Sequence, residues 1–115
     1  MINVVNKRTF KGEHGVYIGR GSVLGNPYTH KQGTKAEYVV RSVQEAVDYY
    51  EGYLFGKVVT KDKDICNELN RLYKYYKEYG ELNLICYCKW KGHEPCHGDV
   101  IKNMLESALR KSADS

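Results

Sequence analysis

Two short segments hold most of the residues whose chemistry reaches beyond packing. The first is Gly19-Arg20-Gly21-Ser22-Val23-Leu24-Gly25-Asn26-Pro27. Its glycines let the backbone come close to a ligand and turn freed amides toward an anion. Arg20 adds a planar fork suited to phosphate or carboxylate. Ser22 and Asn26 offer side-chain hydrogen bonds, and Tyr17 or Tyr28 a stacking surface. The dinucleotide pattern G-x-G-x-x-G is broken, because Leu24 stands where its last glycine belongs, and no P-loop lysine is present. A structural turn ending in Asn26-Pro27 is the plain alternative. The connection from Gly19 to Arg41 shows no periodic pattern, and loops that long in compact domains are usually functional or disordered.

The second segment runs from Cys86-Tyr87-Cys88 to Cys96-His97-Gly98-Asp99, and three readings of it stay open. Cys86, Cys88, Cys96 and His97, with His93 nearby, are soft enough ligands for zinc, although the spacing differs from the usual knuckle. Alternatively, Cys96 at a helix amino terminus is an activated thiol, with His97 or Asp99 as acid or base. In the third reading the segment recognises an anion. Gly98 leaves the amides at the helix start open to phosphate or carboxylate, Cys88 faces the same ligand, and His97 and Asp99 direct it. The bland roles stand beside these: Cys86 as core, Cys66 as a small apolar filler, Asp99 as a helix cap, and His14 and His30 as exposed histidines. His93 and Trp90 lie in a basic loop, Lys89–Glu94, which covers a ligand or simply meets solvent.

Strands and helices must hold these segments. Ile2–Val5 and Val16–Ile18 read as short strands, expected to pair with each other, and Leu82–Tyr87 as a central strand, apolar on both faces. Ser42-Val43-Gln44-Glu45 matches a capping box, and Val43, Ala46, Val47, Tyr50 and Leu54 then follow helical spacing. A second helix is expected from about Asp62 to Tyr79 with Gly80 as its left-handed cap. A last one starts near Gly98 or Asp99 and carries Ile101, Met104, Leu105, Ala108 and Leu109. Helices between Val16–Ile18 and Leu82–Tyr87 imply a parallel pair. The expected fold is a small three-layer, Rossmann-like α/β domain of three or four strands and three helices, with a two-layer α+β domain as second choice. It fills residues 1–110, and 111–115 form a frayed tail.

Composition narrows the classes. A chain of 115 residues has room for one core. Its net charge of +4, with lysines interleaved among acids, permits nucleic-acid binding without arguing for it. There is no membrane-length apolar run and no secretory leader, and the four cysteines then read as reduced thiols, so a cytoplasmic protein without membrane partners is expected. Eleven tyrosines suit half-wet pockets and interfaces and leave a homodimer open.

Taken together, Tyr17-Ile18-Gly19-Arg20-Gly21-Ser22, Leu24-Gly25-Asn26-Pro27, Leu84-Ile85-Cys86-Tyr87-Cys88 and Cys96-His97-Gly98-Asp99-Val100-Ile101 resemble an uncharacterised family of phages and bacteria, catalogued as domain of unknown function 4326. The resemblance spans roughly Asn3 to Leu109. It implies a phage or bacterial setting, and loosely a kinship with Rossmann-like proteins acting on nucleotides. The segment between Cys88 and Cys96 is longer and more basic than that family's short link, which favours a phosphate-facing flap over a compact metal knuckle. The expected function is a nucleotide-directed protein. Tyr17, Gly19, Arg20, Gly21, Ser22, Gly25, Asn26, Tyr28, Cys88 and Gly98 would bind a phosphate- or ribose-containing ligand. Cys96, His97 and Asp99 would act on a glycosidic or phosphoester bond, as in a hydrolase or transferase, with no cofactor. The alternatives are a non-catalytic nucleotide-sequestering protein and a zinc-stabilised module that contacts nucleic acid or protein.

Overall fold

The computed structural model describes residues 2–19, 22–29, 38–39, 42–86 and 96–113. Along the chain come β1 (Ile2–Asn6), β2 (Gly15–Tyr17), β3 (Tyr28–Thr29), β4 (Tyr38–Val39), α1 (Val43–Val59), α2 (Lys63–Tyr79), β5 (Leu82–Cys86) and α3 (His97–Ala113). The molecule is a small α/β domain with a three-stranded parallel sheet in the order β1-β5-β2, compatible with a Rossmann-like arrangement. β3 and β4 form a separate, two-residue parallel pair inside the long connection, where the sequence shows no periodicity.

β5 occupies the centre because it is mostly apolar and is buried at Leu82, Asn83, Leu84 and Cys86. A strand of that kind needs a neighbour on each edge. It therefore separates β1 from β2, which do not pair with each other as the sequence reading expected. Asn6 lies opposite Cys86 and Val4 opposite Leu84, while Val16 lies opposite Leu84 from the other edge. Side chains alternate along a strand, so these residues share one face. Ile18 extends the β2 ladder through its amide to the Ile85 carbonyl at 2.9 Å.

The link from β1 to β2, Lys7–His14, contains no helix. At about 3.3–3.6 Å per residue it reaches roughly 30 Å at most, enough to recross strands this short. Asn6 starts the reversal. Its carbonyl accepts from the Phe10 amide at 2.9 Å, and its Oδ1 accepts from the Arg8 amide at 2.8 Å. Phe10 then packs against Gly15, where a Cβ would fall 2.9 Å from its ring.

The helices begin and end where their capping residues stand. Ser42 Oγ accepts from the Glu45 amide at 3.1 Å and Asp62 Oδ1 from the Ile65 amide at 3.0 Å. Gly80 closes α2 at φ 73°, a left-handed conformation that glycine adopts without strain. From α1 the core receives Ala46, Tyr50 and Leu54; from α2, Ile65 and Leu72; and from α3, Val100, Ile101 and Leu105. All of these but Ala46 pack with Ile2, Ile18, Leu82 and Leu84 into one cluster. α3 starts one residue earlier than its spacing suggested and continues through Ala113, so residues 111–113 are helical. No helix among the described residues is long and apolar enough to cross a membrane.

Candidate functional site

All three sheet strands run the same way, so their carboxyl ends meet at one edge, where Asn6, Cys86 and the Ile18-Gly19 corner lie together. The start of α3 sits over this edge. Cys96 precedes the helix, and its Sγ lies 3.0 Å from Cys86 Sγ, both side chains fully buried. Cys96 also serves as a sulfur cap. Its Sγ accepts from the Gly98 amide at 3.4 Å, and its own amide donates to Asp99 Oδ2 at 3.2 Å. The Asp99 amide donates back to the Cys96 carbonyl at 3.0 Å. Two amides of the first turn are therefore engaged within the turn.

His97 ties this helix start to the sheet. Its Nε2 lies 2.6 Å from the Ile18 carbonyl. A carbonyl can only accept, so Nε2 carries the proton. In the neutral ring Nδ1 is then the acceptor, and it lies 3.8 Å from Cys96 Sγ. The ring is buried and meets the edge of Tyr50 at 5.0 Å between centroids.

Tyr50 anchors the other segment. Fully buried, it donates its hydroxyl to the Leu24 carbonyl at 2.7 Å. Burial, reinforced by the neighbouring Tyr53 and Cys96, pushes its ionisation far above the usual tyrosine range and keeps it a donor. Asn26 Nδ2 adds a bond to the Ala46 carbonyl at 3.2 Å. Ser22 folds back on the loop through its Oγ to the Gly19 carbonyl at 2.6 Å, and the Gly25 amide bonds to the Ser22 carbonyl at 3.0 Å. α1, the loop and the start of α3 are thus pinned together through Tyr50, Asn26 and His97.

The glycines act here through close approach. A Cβ on Gly19 would strike the ring and hydroxyl of Tyr17, which lies back over it. Lys7 Nζ sits 5.7 Å from the centroid of that same ring. A Cβ on Gly98 would fall 2.8 Å from Val4 Cγ1 and 2.9 Å from Ile18 Cδ1. Only glycine lets α3 start this close to the strands.

The structure therefore brings together Tyr17, Gly19, Ser22, Gly25, Asn26, Cys96, His97, Gly98 and Asp99 from the sequence reading. Tyr28 is placed by its backbone in β3; Arg20, Gly21 and Cys88 lie outside the described residues, as do His30, Trp90 and His93. Gly98 and Asp99, read from sequence as facing a ligand, spend their polar groups on the helix cap. Among the described residues no three His, Cys, Asp or Glu side chains gather as metal ligands, and the zinc reading turns on Cys88 and His93.

Sequence reasoning passed over Asn6. Its side chain is 5% exposed, and its Nδ2 is buried with no hydrogen-bond partner among the described residues. Oδ1 holds the Arg8 amide, so the orientation of the amide group is settled. The available signal was an asparagine closing the run Ile2-Asn3-Val4-Val5, which reads equally well as a turn residue.

A family model described as "Domain of unknown function (DUF4326)" matches residues 2–107, so the chain belongs to that family. No curated protein and no solved structure matches it.

Proposed function

For this member of the DUF4326 family we propose a small-ligand site at the carboxyl edge of the sheet, between the Gly19–Pro27 loop and the start of α3. The ligand is nucleotide-like, carrying phosphate or ribose oxygens. The observation that carries this reading is Asn6 Nδ2, a buried donor without a partner among the described residues, at the edge where open α/β sheets bind their ligands. Leaving such a donor unsatisfied costs about 1–3 kcal/mol, and a ligand oxygen that accepts from it recovers that energy. Arg20 clamps the anionic part, and Tyr17 or Tyr28 stacks on the base. The setting is a cytoplasm, the host's where the chain is phage-encoded.

A second reading adds turnover, favoured by the tautomer of His97. With the Nε2 proton committed to Ile18, Nδ1 can accept the Cys96 thiol proton. The sulfur is then a nucleophile toward the anomeric carbon of a nucleoside. A C–S bond forms, the glycosidic C–N bond breaks, and the base leaves with the bonding pair. The departing base takes the proton from Nδ1; Nδ1 then deprotonates water, whose oxygen displaces the sulfur from the anomeric carbon, and the proton returns from Nδ1 to Cys96 Sγ.

Incubation of the chain with nucleosides, nucleotides and NAD, followed by mass spectrometry of the free and retained pools, tests both readings. A retained, unchanged species supports binding, and the protein then sequesters its ligand. A cleaved species supports turnover. If neither appears, the nucleotide class falls. Asn6→Asp keeps the acceptor for the Arg8 amide and removes the donor, so it should weaken retention at least about tenfold (~1.4 kcal/mol). Unchanged retention in a folded Asn6→Asp protein removes Asn6 from the site.

A further inference from the structure

The outward face of α1 does not behave like a solvent-facing helix surface. Tyr49, Phe55 and Val59 on it are 53%, 63% and 61% exposed. Between them lie Gly52 and Gly56, one turn apart, and a Cβ on either would meet nothing within 4 Å. Glycine inside a helix costs about 0.5–1 kcal/mol relative to alanine. Gly98, inside α3, justifies that cost by close contacts with Val4 and Ile18. Gly52 and Gly56 have no such contact. They form a shallow, backbone-lined groove flanked by apolar ridges, the shape that admits a second helix at short range.

The geometry points to a second copy of this chain as the occupant, packed antiparallel through α1 about a two-fold axis. Every charged residue in the first part of α1 is acidic: Glu45, Asp48 and Glu51. Beyond its middle come Lys57, Lys61 and Lys63. Of the acids in that region, Asp62 is occupied as the α2 cap and as the partner of Lys57 at 3.6 Å, and Asp64 stands in the first turn of α2. An antiparallel pair with Gly52 of one copy over Gly56 of the other sets the acidic start of one α1, with Glu45 and Asp48, against the turn that closes the second copy's α1, where Lys61 and Lys63 stand. Tyr49 then covers the second copy's Val59, and the Phe55 rings flank the axis. A parallel pair would place acid on acid, which disfavours it. One helix face buries less than the roughly 800 Å² per partner of a standard interface, so the dimer is weak and exchanges with concentration. This inference is independent of the ligand site.

Sedimentation velocity on the full chain, from about 1 µM to about 500 µM, brackets the range expected for an interface below standard size. The wild type should shift from monomer toward dimer across this range, less so at high salt. Phe55→Glu, and separately Gly52→Leu with Gly56→Leu, should stay monomeric. The leucine pair enters open space and should hold or raise the Tm, which separates loss of the dimer from loss of the fold. Zero-length crosslinking should join Glu45 or Asp48 of one copy to Lys61 or Lys63 of the other. A wild type that stays monomeric throughout, or variants that dimerise like it, would overturn the proposal.

Discussion

Replacing Gly98 with alanine adds one methyl group where α3 meets the sheet. Its Cβ would lie 2.8 Å from Val4 Cγ1, 2.9 Å from Ile18 Cδ1 and 3.4 Å from Val4 Cγ2. Carbon atoms prefer about 3.5–4.0 Å, so the first two contacts overlap by roughly 0.6–1 Å. Valine and isoleucine are stiff at χ1 and here belong to a packed sheet, so neither yields easily. Overpacking of this kind costs about 1–3 kcal/mol. Alanine's better helix propensity returns at most about 1 kcal/mol. The net loss should be about 1–2 kcal/mol, or roughly 4–16 °C in Tm for a domain near this size. The same shift would strain the His97–Ile18 bond (2.6 Å) and the amide bond to Cys96 Sγ (3.4 Å). Urea denaturation of Gly98→Ala, Val4→Ala and the double variant measures the effect. Because the overlap is with Val4, the double variant should recover at least about 0.5 kcal/mol relative to the sum of the singles. Gly52→Ala, measured at low micromolar concentration, is the control and should stabilise the chain. Equal stability of Gly98→Ala and wild type, or strict additivity with Val4→Ala, would refute the argument that close approach requires this glycine.

Tyr50→Phe removes the donor to the Leu24 carbonyl while keeping the ring in place. It should cost about 1–3 kcal/mol in urea denaturation; a cost below about 0.5 kcal/mol would mean that the loop does not depend on this bond. On the surface of α2, Arg71 donates to both oxygens of Glu68, at 2.5 and 2.9 Å. That hydrogen bond, with the guanidinium charge, holds the Glu68 carboxyl below its ordinary range despite slight burial. A carboxyl lowered in the folded state stabilises it above the unfolded value, and this contribution fades as pH falls through the folded value. The Arg71 side chain is 55% exposed and that of Glu68 21%, an i,i+3 pair at the helix surface, so Arg71→Gln should cost only about 0.3–0.5 kcal/mol at pH 7. The gap to wild type should narrow as acid protonates Glu68, and a gap that does not narrow as the pH falls would assign the effect to something other than this pair.

What was legible in the sequence was whatever rests on local rules. Ser42 and Asp62 are short side-chain acceptors just before periodic apolar runs, and Gly80 follows the last turn of α2; each declares a helix end within a few residues. The mostly apolar run Leu82–Cys86, broken only by Asn83, announced a central strand for the same reason. The placement of β1 was not legible, because a short strand pairs with whichever neighbour the tertiary fold provides. Only the burial of β5 on both edges decides that β1 and β2 stand apart. The β3–β4 pair, at two residues a strand, is too short to leave a period.

The site shows the same division more sharply. Its two segments could be found from residue types alone, since glycine, cysteine and histidine are rarely clustered without a reason. The roles within them depend on contacts between positions far apart in the chain. His97 finds the carbonyl of Ile18, Asn26 that of Ala46, and Gly98 the side chain of Val4. In each case the polar or glycine residue first serves to bring α3, the loop and the strand ends into register. That work leaves few groups uncommitted at the strand ends. Asn6 is the exception, with one half of its amide bound to its own turn and the other buried without a partner among the described residues. The residue that the local rules would dismiss as a turn former is therefore the one that leaves a buried donor unmatched among the described residues, which is why the proposed function rests on it.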